Sequence, residues 1–182
     1  MSAEILAELY ATSGGAGWTN NTGWLSGGPC TPPLWAGVTC SFAGEVTSLD
    51  LLSNNLVGTL TPTLANLTAL GTLKVGKRRD ASTNWNCDAA AADAISGTLP
   101  TQFGLLTELN ILSAACASLS GSLPTELANA AQLTLLRLVY NSMSGTVPSQ
   151  LGNVSSLVTV RQRPSNHRRP SALPLRTHTF HS

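Results

Sequence analysis

The sequence predicts an α/β solenoid built from short parallel strands, because one phrase recurs at a constant interval. Three copies stand 24 residues apart, starting at Ile95, Leu119 and Met143, and read Ile-Ser-Gly-Thr-Leu-Pro, Leu-Ser-Gly-Ser-Leu-Pro and Met-Ser-Gly-Thr-Val-Pro. A fixed period of this size is typical of repeats that bury an apolar face only by stacking on their neighbours. Any function is therefore expected on the surface of a rod.

A longer pattern of apolar residues surrounds this phrase and sets the limits of each repeat. Residues 1 and 3 of the first four repeats are apolar, so both side chains point to one face of a short strand, which we expect to be the core. One repeat carries 15 additional residues, which predicts an insertion at about 76–94. The sequence thus predicts about five repeats, and they start at Leu49, Leu73, Leu112, Leu136 and Val160.

Three further positions of the repeat predict how the chain turns between strands. A glycine at position 10 permits a tight turn, and a proline at position 13 fixes φ where no ladder donor is needed. Position 6 is Asn54 in one repeat and Asn141 in another, and an amide can satisfy backbone groups after the strand. The glycines are Gly58, Gly97, Gly121 and Gly145, and the prolines are Pro100, Pro124 and Pro148.

An amphipathic, tryptophan-rich segment precedes the repeats. A helix is predicted from near Ser2 to Gly14-Gly15, and its apolar stripe consists of Ile5, Leu6, Leu9 and Tyr10. The open end of the first repeat would expose leucines unless something amphipathic covered it. Residues 1–45 are therefore predicted to form an amino-terminal cap, and residues 46–163 the repeats.

These residues resemble the plant-type leucine-rich repeat family, whose pattern is L-x-L-x-x-N-x-L-x-G-x-[IL]-P-x-x-L-x-x-L. The resemblance covers residues 46 to about 160, and Trp35-Ala-Gly-Val-Thr-Cys40 is similar to part of that family's cap. It implies a right-handed superhelix, a non-enzymatic binding role on the concave surface, and an extracellular or cell-surface location. It also implies a disulfide between Cys30 and Cys40, with two reduced, buried cysteines as the alternative.

Composition and motifs exclude several classes of function. With 10% charged residues and a net charge of +1, the chain is predicted to be neither disordered nor a nucleic-acid binder. No membrane span and no secretory signal is predicted from the printed residues, so an intracellular location stays open. No catalytic constellation, cofactor site or metal site is predicted, since all three histidines lie in a tail, 164–182, that we expect to be disordered.

The residues that alternate with the buried strand positions are predicted to line the concave sheet and to bind a partner. These residues carry more positive than negative charge, which fits a partner with an acidic protein surface or an anionic polysaccharide. The alternative is a solvated face that binds no partner. Arg and Tyr dominate binding hot spots, so two residues of the set are expected to anchor the partner. The set is Asp50, Lys74, Lys77, Arg137, Val139, Tyr140, Arg161 and Arg163.

Two more specific functions follow from the resemblance and stay open. As alternatives to a general binding module, the resemblance implies an ectodomain fragment of a receptor-like kinase, which acts in signalling, or a secreted inhibitor of cell-wall-degrading enzymes. N-glycosylation sequons at Asn20, Asn66 and Asn153 fit a secreted glycoprotein, although two of them share one repeat position and so can reflect the repeat itself. The sequence leaves open whether Cys87 and Cys116 pair.

Overall fold

The computed structural model describes residues 1–77, 94–154, 157, 159–164 and 177–178, with the backbone alone for the last two ranges. Most of the predicted insertion and of the predicted tail therefore lies outside the described residues. The described part contains one α-helix, α1 (Ser2–Thr12), as the sequence predicts. Its strands are β1 (Val38–Cys40), β2 (Val46–Asp50), β3 (Val57–Thr59), β4 (Thr72–Gly76), β5 (Ala94–Thr98), β6 (Ile111–Ala115), β7 (Ser118–Gly121), β8 (Leu135–Met143), β9 (Thr159–Pro164) and β10 (Thr177–His178).

One side of the solenoid is a sheet in which β2, β4, β6, β8 and β9 are parallel neighbours. We call it the first sheet; β1 extends it by pairing antiparallel with β2, and β10 pairs antiparallel with β9. The predicted starts of the repeats face one another in register: Leu49 with Leu73, Leu73 with Leu112, Leu112 with Leu136, and Leu136 with Val160. The insertion therefore leaves the register of these strands undisturbed.

A second parallel sheet, which the sequence analysis did not predict, is formed by β3, β5, β7 and the end of β8. Its strands contain the repeated Ser-Gly-Thr/Ser phrase that we interpreted as a turn. The glycines of that phrase do adopt positive φ, 82° at Gly97 and 74° at Gly121. Neighbouring copies nevertheless pair, because the stacking of the first sheet brings them side by side.

The corner between the two sheets lies at position 5 of the repeat. Ser53, Cys116 and Tyr140 have φ values of 56°, 53° and 58° there, in the left-handed region that costs energy for any residue with a Cβ. In β8 the strand runs through this corner, and its pairing with β9 shifts register between Val139 and Asn141. Pairing on both sides of the corner holds the strained residue in place.

Four short 3₁₀ segments form the remaining side, at Pro62–Asn66, Thr101–Leu105, Thr125–Asn129 and Ser149–Asn153. Pro100, Pro124 and Pro148 precede three of them in extended conformation, as expected for a residue with fixed φ and no donor. Between the three sides lies a core of stacked apolar residues. In the first repeat it consists of Leu49, Leu51, Leu56, Leu60, Leu64, Leu67 and Leu70, all of which are buried.

Helix α1 packs against the first repeat. Ile5, Leu6 and Leu9 are buried, as the apolar stripe predicts. The end of the helix then joins the edge of the second sheet, where the Val57 backbone N–H donates to the Ser13 carbonyl at 2.9 Å. A side chain at Gly58 would place its Cβ 1.9 Å from the Thr12 carbonyl oxygen, so this approach requires glycine.

Asn141 shows how the position 6 amide stabilises the turn after the strand. It is 2% exposed. Its Nδ2 donates to the carbonyls of Ala114 (2.6 Å) and Leu138 (3.1 Å), and its Oδ1 accepts from the Leu119 N–H at 3.0 Å. One side chain thus links its own strand to the preceding repeat and satisfies three buried backbone groups.

Replacing Asn141 by alanine is expected to lower the free energy of unfolding by about 2–3 kcal/mol, because buried donors and acceptors lose their partners. Urea denaturation followed by tryptophan fluorescence measures this. Asn129→Ala, at an exposed position, serves as the control and should change stability by no more than about 0.5 kcal/mol. Equal midpoints for the two variants would contradict the assigned role.

Glu8 ties α1 to the start of the first 3₁₀ segment. Its carboxylate accepts hydrogen bonds from Thr61 Oγ1 at 2.6 Å and Thr63 Oγ1 at 2.8 Å. These two bonds, the Thr61 bond being the larger cause, lower the pKa of Glu8. A carboxyl group whose pKa is lowered by folding stabilises the folded state above its unfolded pKa, and this contribution disappears as pH falls through the folded pKa.

We therefore expect Glu8→Gln to be less stable than the native chain at neutral pH, with the difference shrinking as the solution is acidified. Urea midpoints of both proteins over a series of pH values measure the effect. Glu4→Gln is the control on the same helix, because Glu4 is exposed and forms an ion pair with the amino terminus rather than a bond to the 3₁₀ segment. A Glu8→Gln deficit that stays constant with pH would show that the carboxylate charge does not matter.

Candidate functional site

The segment between α1 and β1 is organised by four aromatic rings. Trp18 and Trp24 meet edge to face with centroids 4.7 Å apart, Trp24 and Trp35 lie 4.9 Å apart, and Tyr10 contacts the first two. Each indole N–H donates to a carbonyl: Trp18 to Ser13, Trp24 to Ala36 and Trp35 to Ser26. These tryptophans are buried and are therefore part of the scaffold rather than of an exposed binding surface.

The predicted disulfide of this segment is present. Cys30 and Cys40 are bonded, with their Cα atoms 5.7 Å apart, and Cys40 is the last residue of β1. The bond therefore anchors the loop to the edge of the first sheet. Cys116 is also disulfide-bonded, whereas Cys87 lies outside the described residues.

The predicted partner-binding residues begin with Asp50 and Lys74, which face each other in register on β2 and β4. Lys74 Nζ lies 3.3 Å from Asp50 Oδ2, and about one third of each side chain is exposed. The half-buried Lys77 follows directly after β4. Arg137, on β8, is also half-buried and stands in register with Ser113 on one side and Arg161 on the other.

The middle of the first sheet is less open than the alternation of side chains predicts. Ser113 is 4% exposed, and the position 4 residues Gly76, Ala115 and Val139 are all buried. Val139, which we predicted to contact a partner, is 6% exposed and presents almost no surface. The accessible part of the predicted surface is therefore limited to residues at positions 2 and 5, and in the repeat of β6 even these residues, Ser113 and Cys116, are buried.

Of the remaining predicted partner-binding residues, Tyr140 lies at the corner between the sheets and Arg161 and Arg163 lie on β9. Tyr140 is half-buried at the corner between the two sheets, so it borders the predicted surface rather than lying in its middle. Arg161 and Arg163 are described by backbone alone, which places them in register with Arg137 and Val139. Position 2 supplies one row across the sheet with Asp50, Lys74 and Arg137, and position 5 supplies a second row at the corner with Lys77 and Tyr140. We call these five residues the basic stripe.

Charge is segregated around the basic stripe. Among the side chains that the structure describes, every Lys and Arg belongs to the stripe, namely Lys74, Lys77 and Arg137. Asp50 is the one described acidic residue on it, and the other acids lie on the helix, in turns or on the 3₁₀ side: Glu4, Glu8, Glu45, Glu108 and Glu126. The stripe is therefore positive relative to the rest of the described surface.

Sequence reasoning missed a second candidate surface, on the second sheet. Apart from the exposed Val57 at the start of β3, its exposed positions carry hydroxyl side chains across three neighbouring pairs of strands. In the register of the sheet Thr59 faces Ser96, which faces Ser118, and Thr98 faces Ser120, which faces Ser142. We call these six residues the hydroxyl face; regular Ser and Thr in the repeated phrase were the signal that could have revealed it.

Smaller features complete the surface. A groove of about 400 Å³ overlaps one end of the hydroxyl face, where Thr59 and Thr98 line it together with Leu60, Pro62 and Leu99. No group of three or more potential metal ligands occurs among the described residues, and no helix there is long and apolar enough to cross a membrane. The sequon residues Asn20, Asn66 and Asn153 are exposed, a condition for their modification.

Solved structures similar to this chain were found, whereas no protein-family model and no curated protein matches its sequence. A plant ice-binding protein aligns at TM-score 0.69 and 22% identity, over 90% of this chain and 47% of the other. The plant peptide hormone receptor RGFR1 in complex with RGF2 aligns at TM-score 0.56 and 25% identity, over 70% and 21%. The LRR ectodomain of the Arabidopsis thaliana receptor kinase SOBIR1 aligns at TM-score 0.56 and 19% identity, over 88% and 89%.

The chain has the plant-type leucine-rich repeat fold. The stacked parallel strands and the spacing of their buried leucines agree with these similarities, which at such identities establish the fold. This leucine-rich repeat chain spans 21% of the length of the RGFR1 chain.

Removing the Cys30–Cys40 bond should destabilise the amino-terminal segment of this leucine-rich repeat chain. For Cys30→Ser plus Cys40→Ser we expect the free energy of unfolding to fall by about 2–3 kcal/mol, because the open loop gains conformational entropy when unfolded. Substitution is preferred to reduction because Cys116 is disulfide-bonded as well. Urea denaturation is the measurement, Ser26→Ala is a control in the same loop, and an unchanged midpoint in the double variant would refute the expectation.

Proposed function

We propose that this chain is a non-enzymatic binding module that recognises an acidic segment of a protein partner along the basic stripe. In this proposal residues 1–45 act as a helical amino-terminal cap and residues 46–163 form about five repeats of a right-handed superhelix. The tail, 164–182, takes no part in recognition. The observation that carries the proposal is the confinement of all described Lys and Arg side chains to the basic stripe, on and beside the first sheet.

Electrostatic complementarity supports an acidic partner. Lys74, Lys77 and Arg137 are partly exposed, so a carboxylate can approach them without the large cost of burying an unpaired charge. Asp50 neutralises part of the charge of Lys74 at 3.3 Å and leaves the stripe positive overall. Tyr140, at the edge of the stripe, supplies an aromatic surface of the kind enriched in binding hot spots.

The similarities support a protein ligand and a receptor-type context. RGFR1 is described as a peptide hormone receptor in complex with RGF2, and SOBIR1 as a receptor kinase. By that analogy the chain works as part of the ectodomain of a signalling receptor, which is our second, narrower candidate. The Cys30–Cys40 disulfide fits an extracellular location, since such bonds persist in oxidising compartments.

The proposal predicts that the chain binds poly-L-glutamate, used here as a simple acidic polypeptide. Lys74→Gln plus Arg137→Gln should weaken this binding by about tenfold, because two attractive charges are lost. Asp50→Asn should strengthen it, because the one opposing charge is removed. Fluorescence anisotropy of a labelled polymer at several salt concentrations measures both effects, and all affinities should fall as salt rises.

Controls separate the stripe from general electrostatics. Glu126→Gln changes the net charge by the same +1 as Asp50→Asn but lies on a 3₁₀ segment, so its affinity should equal that of the native chain. A Glu126→Gln variant that binds as tightly as Asp50→Asn would refute a localised site. Tighter binding of polygalacturonate than of poly-L-glutamate would reassign the stripe to an anionic polysaccharide.

A further inference from the structure

The hydroxyl face is an ordered array rather than a scatter of surface serines. Thr59, Ser96 and Ser118 form one row across β3, β5 and β7, and Thr98, Ser120 and Ser142 form the next row across β5, β7 and β8. All of these residues are exposed except Ser120, which is half-buried. A hydroxyl group therefore recurs from strand to strand within each row, and at every second residue along β5 and β7.

Hydrogen bonds to the sheet fix part of this array. Ser96 Oγ donates to the Gly58 carbonyl at 3.1 Å, and Ser120 Oγ donates to the Gly97 carbonyl at 3.3 Å, each on the preceding strand. The proton of each of these two hydroxyls is therefore donated to the backbone, and the oxygen lone pairs stay available to accept hydrogen bonds from a ligand. Because the side chains are held before any ligand arrives, binding costs little side-chain entropy.

The chemistry of the array limits what can occupy it. Strands β3, β5 and β7 and the end of β8 contain no charged and no aromatic residue. An acidic or basic partner would find no counter-charge there, and a sugar ring would find no aromatic surface to cover its apolar side. A suitable ligand is uncharged and presents many hydrogen-bonding oxygens at a constant spacing.

Crystalline water meets these requirements. With hydrogen bonds of about 2.75 Å and tetrahedral angles, next-nearest oxygen atoms in ice lie about 4.5 Å apart. Neighbouring strands of a sheet are about 4.8 Å apart, so hydroxyls paired in register repeat at nearly the same interval. Single hydroxyl contacts are weak, but many made at once by one rigid face give a high avidity.

We propose that the hydroxyl face binds the surface of ice, independently of the basic stripe. Ser96 and Ser120 are the central residues of the two rows. The substitutions Ser96→Lys and Ser120→Lys would place long charged side chains across the array and prevent its contact with the crystal. The test is the growth of grains in a polycrystalline ice film that is annealed with the purified full chain. Grains should stay small with the native chain and reach the size seen with serum albumin for Ser96→Lys plus Ser120→Lys.

Two further variants make the test specific. Gln132→Lys plus Asn129→Lys adds the same charge at exposed positions outside the second sheet and should act like the native chain. Ser120→Thr retains the hydroxyl and should also act like the native chain. Thermal unfolding confirms that each variant is folded, so that a misfolded protein is not counted as a loss of ice binding.

The outcomes decide the proposal. Native grains as large as those with serum albumin would overturn it, as would full activity of the Ser96→Lys plus Ser120→Lys variant. Retention of the chain on cellulose without an effect on ice grains would assign the face to a neutral polysaccharide and overturn it too. The poly-L-glutamate affinity of the lysine variant should change far less than its ice activity, so failure of this proposal is distinguishable from failure of the basic stripe.

Discussion

The structure depends on parallel pairing in register between strands that start with a buried apolar residue. Leu49, Leu73, Leu112 and Leu136 face their neighbours in the first sheet, and each is fully buried. Because the side-chain period of a strand is two, a slip of one residue would turn these leucines to the outside. This single constraint fixes which residues are inside and where each repeat begins.

The same constraint generates both candidate surfaces. Once the repeat starts are aligned, position 2 of each repeat falls on one line, which brings Asp50, Lys74 and Arg137 into the basic stripe although they are far apart in the chain. The chain then turns at a strained position 5, and the second sheet aligns the serines and threonines of the repeated phrase. A solenoid thus converts a sequence period into two arrays with different chemistry, one charged and one neutral.

The amino-terminal segment packs against the first repeat through several kinds of contact. Its buried tryptophans place their indole N–H groups on backbone carbonyls, so large apolar rings are buried without leaving a donor unsatisfied. Glu8 adds hydrogen bonds to Thr61 and Thr63, and the Cys30–Cys40 bond fastens the loop to β1. Apolar burial, hydrogen bonds and a disulfide bond together stabilise the packing of the amino-terminal segment on the first repeat.

The sequence alone determined the period, the repeat starts, the buried positions 1 and 3, the extent of α1 to within about two residues, and the glycines that adopt positive φ, because these follow from local spacing and backbone preference. It also indicated the cysteine pair through a family resemblance. Only the tertiary structure decided that the Ser-Gly-Thr phrase forms a second sheet, that Val139 is buried, and that Tyr140 stands at a corner. These features arise from contacts between repeats, where residues 22 to 39 positions apart become neighbours, and no single repeat contains that information.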